Sequence, residues 1–262
     1  MTSTIQKFFA ALIYFTRIPS PVRLDPSSIQ GASAFAPLIG YVVAGFVLVV
    51  CWLSAQLLPP LVVVALTMIA GIWLTGAMHE DGWSDFCDGF GGGWDKAQTL
   101  EIMRDPRTGV FGVAGLLCLL GLKYVCLLAL FDIVSVDGQL TVAFAFTVLT
   151  GHTASRFLCV SFMATHDYAS SAEPGRAQTM THRLSLPGLV VIGIVGLAPV
   201  VPLALTVDAW IWGLVPLLLV CRWVFSTAFT RRLGGYTGDC LGAAQQVSEV
   251  LVYLGVLAVL GR

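Results

Sequence analysis

The sequence predicts an all-α protein, a polytopic membrane helix bundle of about seven transmembrane helices preceded by an N-terminal interfacial or re-entrant helix. Three observations predict it. Hydrophobic residues make up 57% of the chain and charged residues only 11%, with a mean hydropathy of +0.86, which is outside the balance of a soluble globular domain. Seven apolar runs, each near the roughly 20 residues that cross a bilayer as helix, lie near 35–58, 61–79, 108–131, 139–165, 186–207, 209–229 and 240–260. The runs are continuously apolar rather than alternating, which argues against a β-barrel and leaves helices to satisfy the backbone in lipid. No separate soluble domain is evident, so 1–262 reads as one integral membrane domain.

The N-terminal stretch KFFAALIYFTRIPSPVRL holds a short apolar run with no small-residue cleavage site and with Arg17 and Arg23 on its far side. It is neither a signal peptide nor a full span, and it is stopped by Pro19 and Pro21. An interfacial or re-entrant helix, or an ordinary short helix packed on the bundle, fits it. Orientation follows from the basic residues. Lys7, Arg17 and Arg23 precede the first span; Lys96, Arg104 and Arg107 follow the second; Arg176 and Arg183 follow the fourth; Arg231 and Arg232 follow the sixth. The intervening connections at 59–60, 132–138 and 208 carry no Lys or Arg. The N-terminus and the long polar loops are therefore expected in the cytoplasm. The net charge of −1 suggests no nucleic-acid partner, and seven cysteines without a CxxC pair read as small core residues of a reducing compartment.

The end of the second span runs into HEDGWSDFCDGFGGG at 79–93. If the helix continues, Asp81, Asp85 and Asp88 fall at i, i+4 and i+7 on one face. Three like charges at a membrane boundary repel one another and lose hydration. A divalent cation resolves both, and an all-oxygen donor set favours Mg²⁺, or Mn²⁺. Gly91 and Gly92, with Gly93, are placed to offer backbone N–H groups to a phosphate or to form a hinge. A solvated acidic loop with a glycine turn is the plain alternative. His79 points away from the aspartate stripe, toward substrate or into a hydrogen-bonded core position; Glu80 reads as a solvated neighbour.

Arg104, Asp105 and Arg107 in MRDPRTG and Asp239 in GGYTGDCLGA stand where they could complete such a site, with Asp239 equally suited to cap a helix. Arg156 lies some ten residues inside the fourth span, where an arginine costs about 2.5–3.5 kcal/mol on insertion scales. A phosphate or pyrophosphate suits its forked guanidinium, and an ion pair with Glu249 is the alternative. Lys123 and Arg222 carry the same ambiguity.

These stretches resemble the cobalamin-5′-phosphate synthases, also called adenosylcobinamide-GDP ribazoletransferases. The resemblance rests on FTRIP at 15–19, FAPLIG at 35–40, TGAMHEDGWSDFCDG at 75–89, LEIMRDPRTG at 100–109, Ser155–Arg156 and GGYTGDCLGAA at 234–244, and it covers nearly the whole chain. The family usually has an apolar residue where Glu80 stands and Ala where Ser84 stands. The resemblance implies a late step of cobalamin assembly at the inner face of the bacterial or archaeal cytoplasmic membrane, in which α-ribazole or its 5′-phosphate attacks adenosylcobinamide-GDP and GMP departs. On that reading Asp81, Asp85, Asp88 and Arg156 carry catalysis; His79, Arg17, Arg104, Arg107, Gly91 and Gly92 contact substrate; and Asp81, Asp85, Asp88, Asp105 and Asp239 hold Mg²⁺. The bilayer is an expected partner, and homo-oligomer formation stays open. Two rivals remain: a lipid-headgroup enzyme of the CDP-alcohol phosphotransferase type, whose signature DFCDG at 85–89 matches only at its start, and a secondary transporter.

Overall fold

The computed structural model describes residues 4–134, 140–169 and 185–262; the loop readings at Arg176, Arg183 and Gly138 lie outside them. The described chain runs α1 (Thr4–Phe15), two 3₁₀ turns (Pro26–Ile29 and Ala32–Phe35), α2 (Ala36–Ala55), α3 (Pro60–Thr75), α4 (Met78–Gly92), α5 (Lys96–Ile102), α6 (Val110–Val134) and α7 (Val142–Thr165). It continues with α8 (Leu186–Leu197), α9 (Val200–Thr206), a 3₁₀ turn (Ala209–Gly213), α10 (Leu214–Leu233) and α11 (Gly238–Leu260). Among the described residues the only β pairing is a parallel bridge between Tyr168 and Tyr236.

Every predicted span is helical at its predicted place, but the rods are not equivalent. Five are long and apolar enough to cross a membrane: α2 with its lead-in turn, α6, α8 with α9, the turn at Ala209 with α10, and α11. Helix α3 reaches that length only together with α4, and the two are bent by 88°. Helix α7 is long enough but more polar, because Thr147, Thr150, His152, Thr153, Ser155 and Arg156 are all buried. Surrounded by other helices, it does not need to face lipid. It packs against the stripe Ala36, Gly40 and Ala44 of α2, where a Cβ on Gly40 would lie 2.7 Å from the His152 carbonyl oxygen. Small residues at i, i+4 and i+8 let two membrane helices approach this closely.

The break between α3 and α4 has a local cause. Gly76 and Ala77 are both left-handed, with φ of 68° and 60°. The Ala77 N–H donates to the Ile72 carbonyl and the Gly76 N–H to the Trp73 carbonyl, the hydrogen-bond pair of a Schellman stop. A left-handed alanine costs about 1–2 kcal/mol, so surrounding contacts hold it. One of them is the Arg17 N–H, which donates to the Leu74 carbonyl at 2.8 Å. It fastens the segment after α1 to the end of α3, and α1 itself is a short helix docked on the bundle through Ala10, Ala11 and Leu12. With four carboxylates in fifteen residues, α4 is not a spanning segment. Its aromatic face, Trp83, Phe86 and Phe90, seats on Phe225 and Phe229 of α10.

Candidate active site

Helices α4 and α11 meet backbone to backbone. A Cβ on Gly82 would lie 3.0 Å from the Asp239 Cα, and one on Gly242 would lie 3.1 Å from the His79 carbonyl oxygen. This crossing sets Asp81 and Asp85 of α4 beside Asp239 in the first turn of α11. The Asp85 carboxyl is pushed up to about 7, first by burial and then by the charges of Asp239, Asp81 and Asp88. Thr237 is the N-cap of α11, its hydroxyl accepting from the Cys240 N–H at 3.3 Å. Asp239 is therefore not the cap residue and is left to face the neighbouring carboxylates. Arg104 is close enough to act electrostatically on both Asp239 and Tyr168.

A cavity of about 280 Å³ opens against this crossing, walled by Tyr14 and Phe15 from the α1 end, Met78, His79 and Asp81 of α4, Arg156 and Met163 of α7, Tyr168, and Asp239. His79 is buried with its ring parallel to Phe15 at 6.5 Å. Together with Arg156, it separates the cavity from a smaller void of about 30 Å³ deeper in the bundle.

The deeper void is lined by a charged network. Lys123 Nζ pairs with Glu249 Oε1 at 2.7 Å, Tyr253 Oη donates to the same oxygen at 2.9 Å, and Gln245 Nε2 donates to Glu249 Oε2 at 2.7 Å. Glu249 thus finds its partner in Lys123, and among the described residues Arg156 forms no ion pair. Arg156 is 2% exposed; its Nη1 donates to the His152 carbonyl at 2.9 Å, and its Nε has no hydrogen-bond partner. A permanently charged guanidinium held this way has capacity left for an anion.

Several sequence expectations change on the fold. Glu80 is not solvated: it is buried, accepts from Gln246 Nε2 at 2.9 Å and lines the inner void. Both Asp88 oxygens are occupied, accepting the Gly109 and Gly112 N–H groups at 2.7 and 2.8 Å. Asp88 therefore anchors the start of α6, where a carboxylate complements the helix dipole. A Cβ on Gly109 would come within 2.5 Å of Asp88 Oδ1, so the glycines were the signal for this anchor. Asp105 does not join the other carboxylates. It pairs on an exposed loop with Arg107 at 2.6 Å, and this contact holds its carboxyl at about 2. Gly91 and Gly92 are the last residues of α4 rather than a phosphate cradle, and a helix C-terminus repels anions. Arg17 lies over Gly76 at the bend.

The donor set left at the crossing, Asp81, Asp85 and Asp239, is all oxygen and mutually repulsive, which suits a hard divalent cation. Among the described residues no three metal-ligating side chains are already drawn together around one point.

The cobalamin-5-phosphate synthase profile matches residues 7–257. The chain belongs to this family. A relative named adenosylcobinamide-GDP ribazoletransferase from Leptothrix cholodnii is 40% identical over 96% of this chain and 94% of its own. Relatives of the same name from Ralstonia nicotianae and Shewanella oneidensis are 38% identical, over 97% and 98% of this chain and 95% of their own. No solved structure matches. The motifs that carry the synthase resemblance converge in space: FTRIP fastens the bend before α4, the aspartate stretch forms α4, Arg156 faces it from α7, and GGYTGDCLGAA opens α11.

Proposed function

We propose that this chain, an adenosylcobinamide-GDP ribazoletransferase by family, joins adenosylcobinamide-GDP to α-ribazole or its 5′-phosphate at the cavity between α1, α4, α7 and α11. The products are adenosylcobalamin, or its 5′-phosphate, and GMP. One observation carries the placement: Arg156, a buried cation without an ion pair among the described residues, faces a cavity whose other walls carry Asp81 and Asp239.

In this reading Arg156 binds the diphosphate oxygens in its fork, and His79, buried against Phe15, fixes the guanidinium side of the cavity. Asp81, Asp85 and Asp239 would hold Mg²⁺, with Mn²⁺ as a substitute. A metal held there would supply neutralisation of the diphosphate and of the charge that develops on departing GMP. Arg104, beside Asp239, extends the positive rim. An ionised aspartate at the crossing accepts the proton of the attacking ribazole hydroxyl. Catalysis rests on positioning and electrostatics, because phosphoryl transfer asks little covalent chemistry of the protein. The site end of the bundle also carries Lys96, Arg104, Arg107, Arg231 and Arg232, which supports a site facing the cytoplasm from the cytoplasmic membrane.

The test is GMP release by protein in lipid nanodiscs, given adenosylcobinamide-GDP and α-ribazole 5′-phosphate across a Mg²⁺ series. Asp85→Asn is expected to raise the Mg²⁺ needed, and Arg156→Lys to lower turnover at saturating Mg²⁺. Wild-type turnover in both variants, or full activity in chelator, overturns the assignment.

A further inference from the structure

On the opposite face of α7 from Arg156 lies a second concavity. Residues 154, 158, 161 and 165 sit about 140–180° around the helix from position 156, and they form one wall of a groove of about 400 Å³ between α7, α8 and α10. The groove is graded along its length. Leu158, Leu197, Val215 and Leu218 line its apolar part, and Ser161, Thr165 and Arg222 gather at one end. Arg222 is held there by three hydrogen bonds: Nε donates to Ser161 Oγ at 2.7 Å, and Nη2 donates to Thr165 Oγ1 at 2.6 Å and to the Ser161 carbonyl at 3.3 Å. Its guanidinium lies 5.1 Å over the Phe162 ring. Among the described residues it meets no carboxylate, and Nη1 has no hydrogen-bond partner. Serine and threonine oxygens fix its direction without neutralising it.

The position of this end along the bundle is set by its neighbours. Thr165 is the last residue of α7, while α10 continues eleven residues past Arg222, about 16 Å further. Trp223, next in the chain, is 67% exposed and faces outward from the bundle. Arg222 thus stands level with Thr165, where α7 ends, on the side of the bundle that carries the candidate cavity, with an apolar trough running inward from it.

We propose that this groove binds one anionic phospholipid, its phosphate against Arg222 and an acyl chain along Leu158, Leu197, Val215 and Leu218. A free anion would satisfy only the charged end and leave the trough unfilled. A zwitterionic lipid would place a cation beside a guanidinium that already lacks a counter-charge.

The experiment uses the full chain in phosphatidylcholine nanodiscs doped with phosphatidylglycerol, reading retained lipid by native mass spectrometry after detergent extraction. The expected result is one phosphatidylglycerol retained in preference to phosphatidylcholine. Arg222→Gln, which keeps hydrogen bonds to Ser161 and Thr165, should lower that preference about fivefold, the effect of one basic side chain at a membrane surface. Arg231→Gln, outside the groove, should leave it unchanged. Leu219→Trp, on an exposed wall, should reduce retention by filling the trough, and it decides the matter if Arg222→Gln does not purify. Equal retention of both lipids by the wild type, unaltered preference in Arg222→Gln, unaltered retention in Leu219→Trp, or displacement of the lipid by inorganic phosphate overturns the proposal. Because the readout is bound lipid, its failure is distinguishable from a failure of the catalytic assignment.

Discussion

Asp88→Asn separates an anchoring role from a metal-binding one. The native carboxylate accepts the Gly109 and Gly112 N–H groups, one on each oxygen, from a side chain only 7% exposed. Asparagine offers one oxygen and one NH₂ group, so whichever way the amide turns, one N–H donor faces another donor. The change therefore removes one charge-assisted hydrogen bond and leaves a buried N–H without an acceptor. Hydrogen bonds to charged groups contribute about 1.5–3 kcal/mol, and loss of the charge at the α6 N-terminus adds about 0.5 kcal/mol. A total near 2–3 kcal/mol corresponds to a fall in thermal midpoint of about 4–12 °C for a chain of this size. The assay is thermal unfolding followed by tryptophan fluorescence in matched detergent, with GMP release measured alongside it across a Mg²⁺ series. Asp88→Asn is expected to lower the midpoint at every Mg²⁺ concentration, with turnover not restored by added Mg²⁺. An unchanged midpoint together with turnover restored at high Mg²⁺ would return Asp88 to the metal site and refute the anchoring argument.

Three further outcomes follow from the packing. Lys123→Met leaves Glu249 charged and buried with its ion-pair partner gone, so stability should fall by about 3–5 kcal/mol; the double variant with Glu249→Gln should recover part of this in the same unfolding assay. Gly82→Ala forces α4 and α11 apart where a Cβ would lie 3.0 Å from the Asp239 Cα, and GMP release should fall more steeply than the thermal midpoint, since the three carboxylates separate before the bundle fails. For orientation, a cysteine at Gln98 in α5 should react with an impermeant maleimide from the cytoplasm only, and one at Leu57, 86% exposed between α2 and α3, from the outside only; labelling of both from one face would contradict the cytoplasmic site.

Helix positions were legible because membrane spans are written as long apolar runs, which depend on composition and not on partners. The same logic hid α7's role. Its polar side chains depress its hydropathy, yet they mark the helix against which α2, α6, α8, α9, α10 and α11 all pack. In the site, Arg156 announced itself by its cost inside a span. Asp81 and Asp239, 158 positions apart in sequence, were each visible as candidates, but their meeting depends on Gly82 and Gly242 touching, a tertiary contact that no local spacing encodes. Glu80 misled for a related reason. Helical periodicity places it off the aspartate stripe but cannot say that the other face of α4 turns toward Gln246 rather than toward water. Asp88 shared the spacing of a ligand while serving α6, and only Gly109 and Gly112, where its carboxylate sits against the backbone, distinguish the two duties.

The early stop of α3 bears on how a large hydrophilic reactant reaches a membrane enzyme. Sixteen residues of helix rise about 24 Å, some 6 Å short of a typical hydrocarbon core of about 30 Å. Hydrophobic mismatch of this kind is relieved by local thinning of the bilayer, and here the shortfall lies beside the cavity, where the chain turns sideways into α4. With the proposed site facing the cytoplasm, such thinning would bring the water surface down toward Arg156, so that a nucleotide substrate too polar to enter lipid would meet its reaction partner in a hollow of the membrane surface, without having to partition into the acyl region at all.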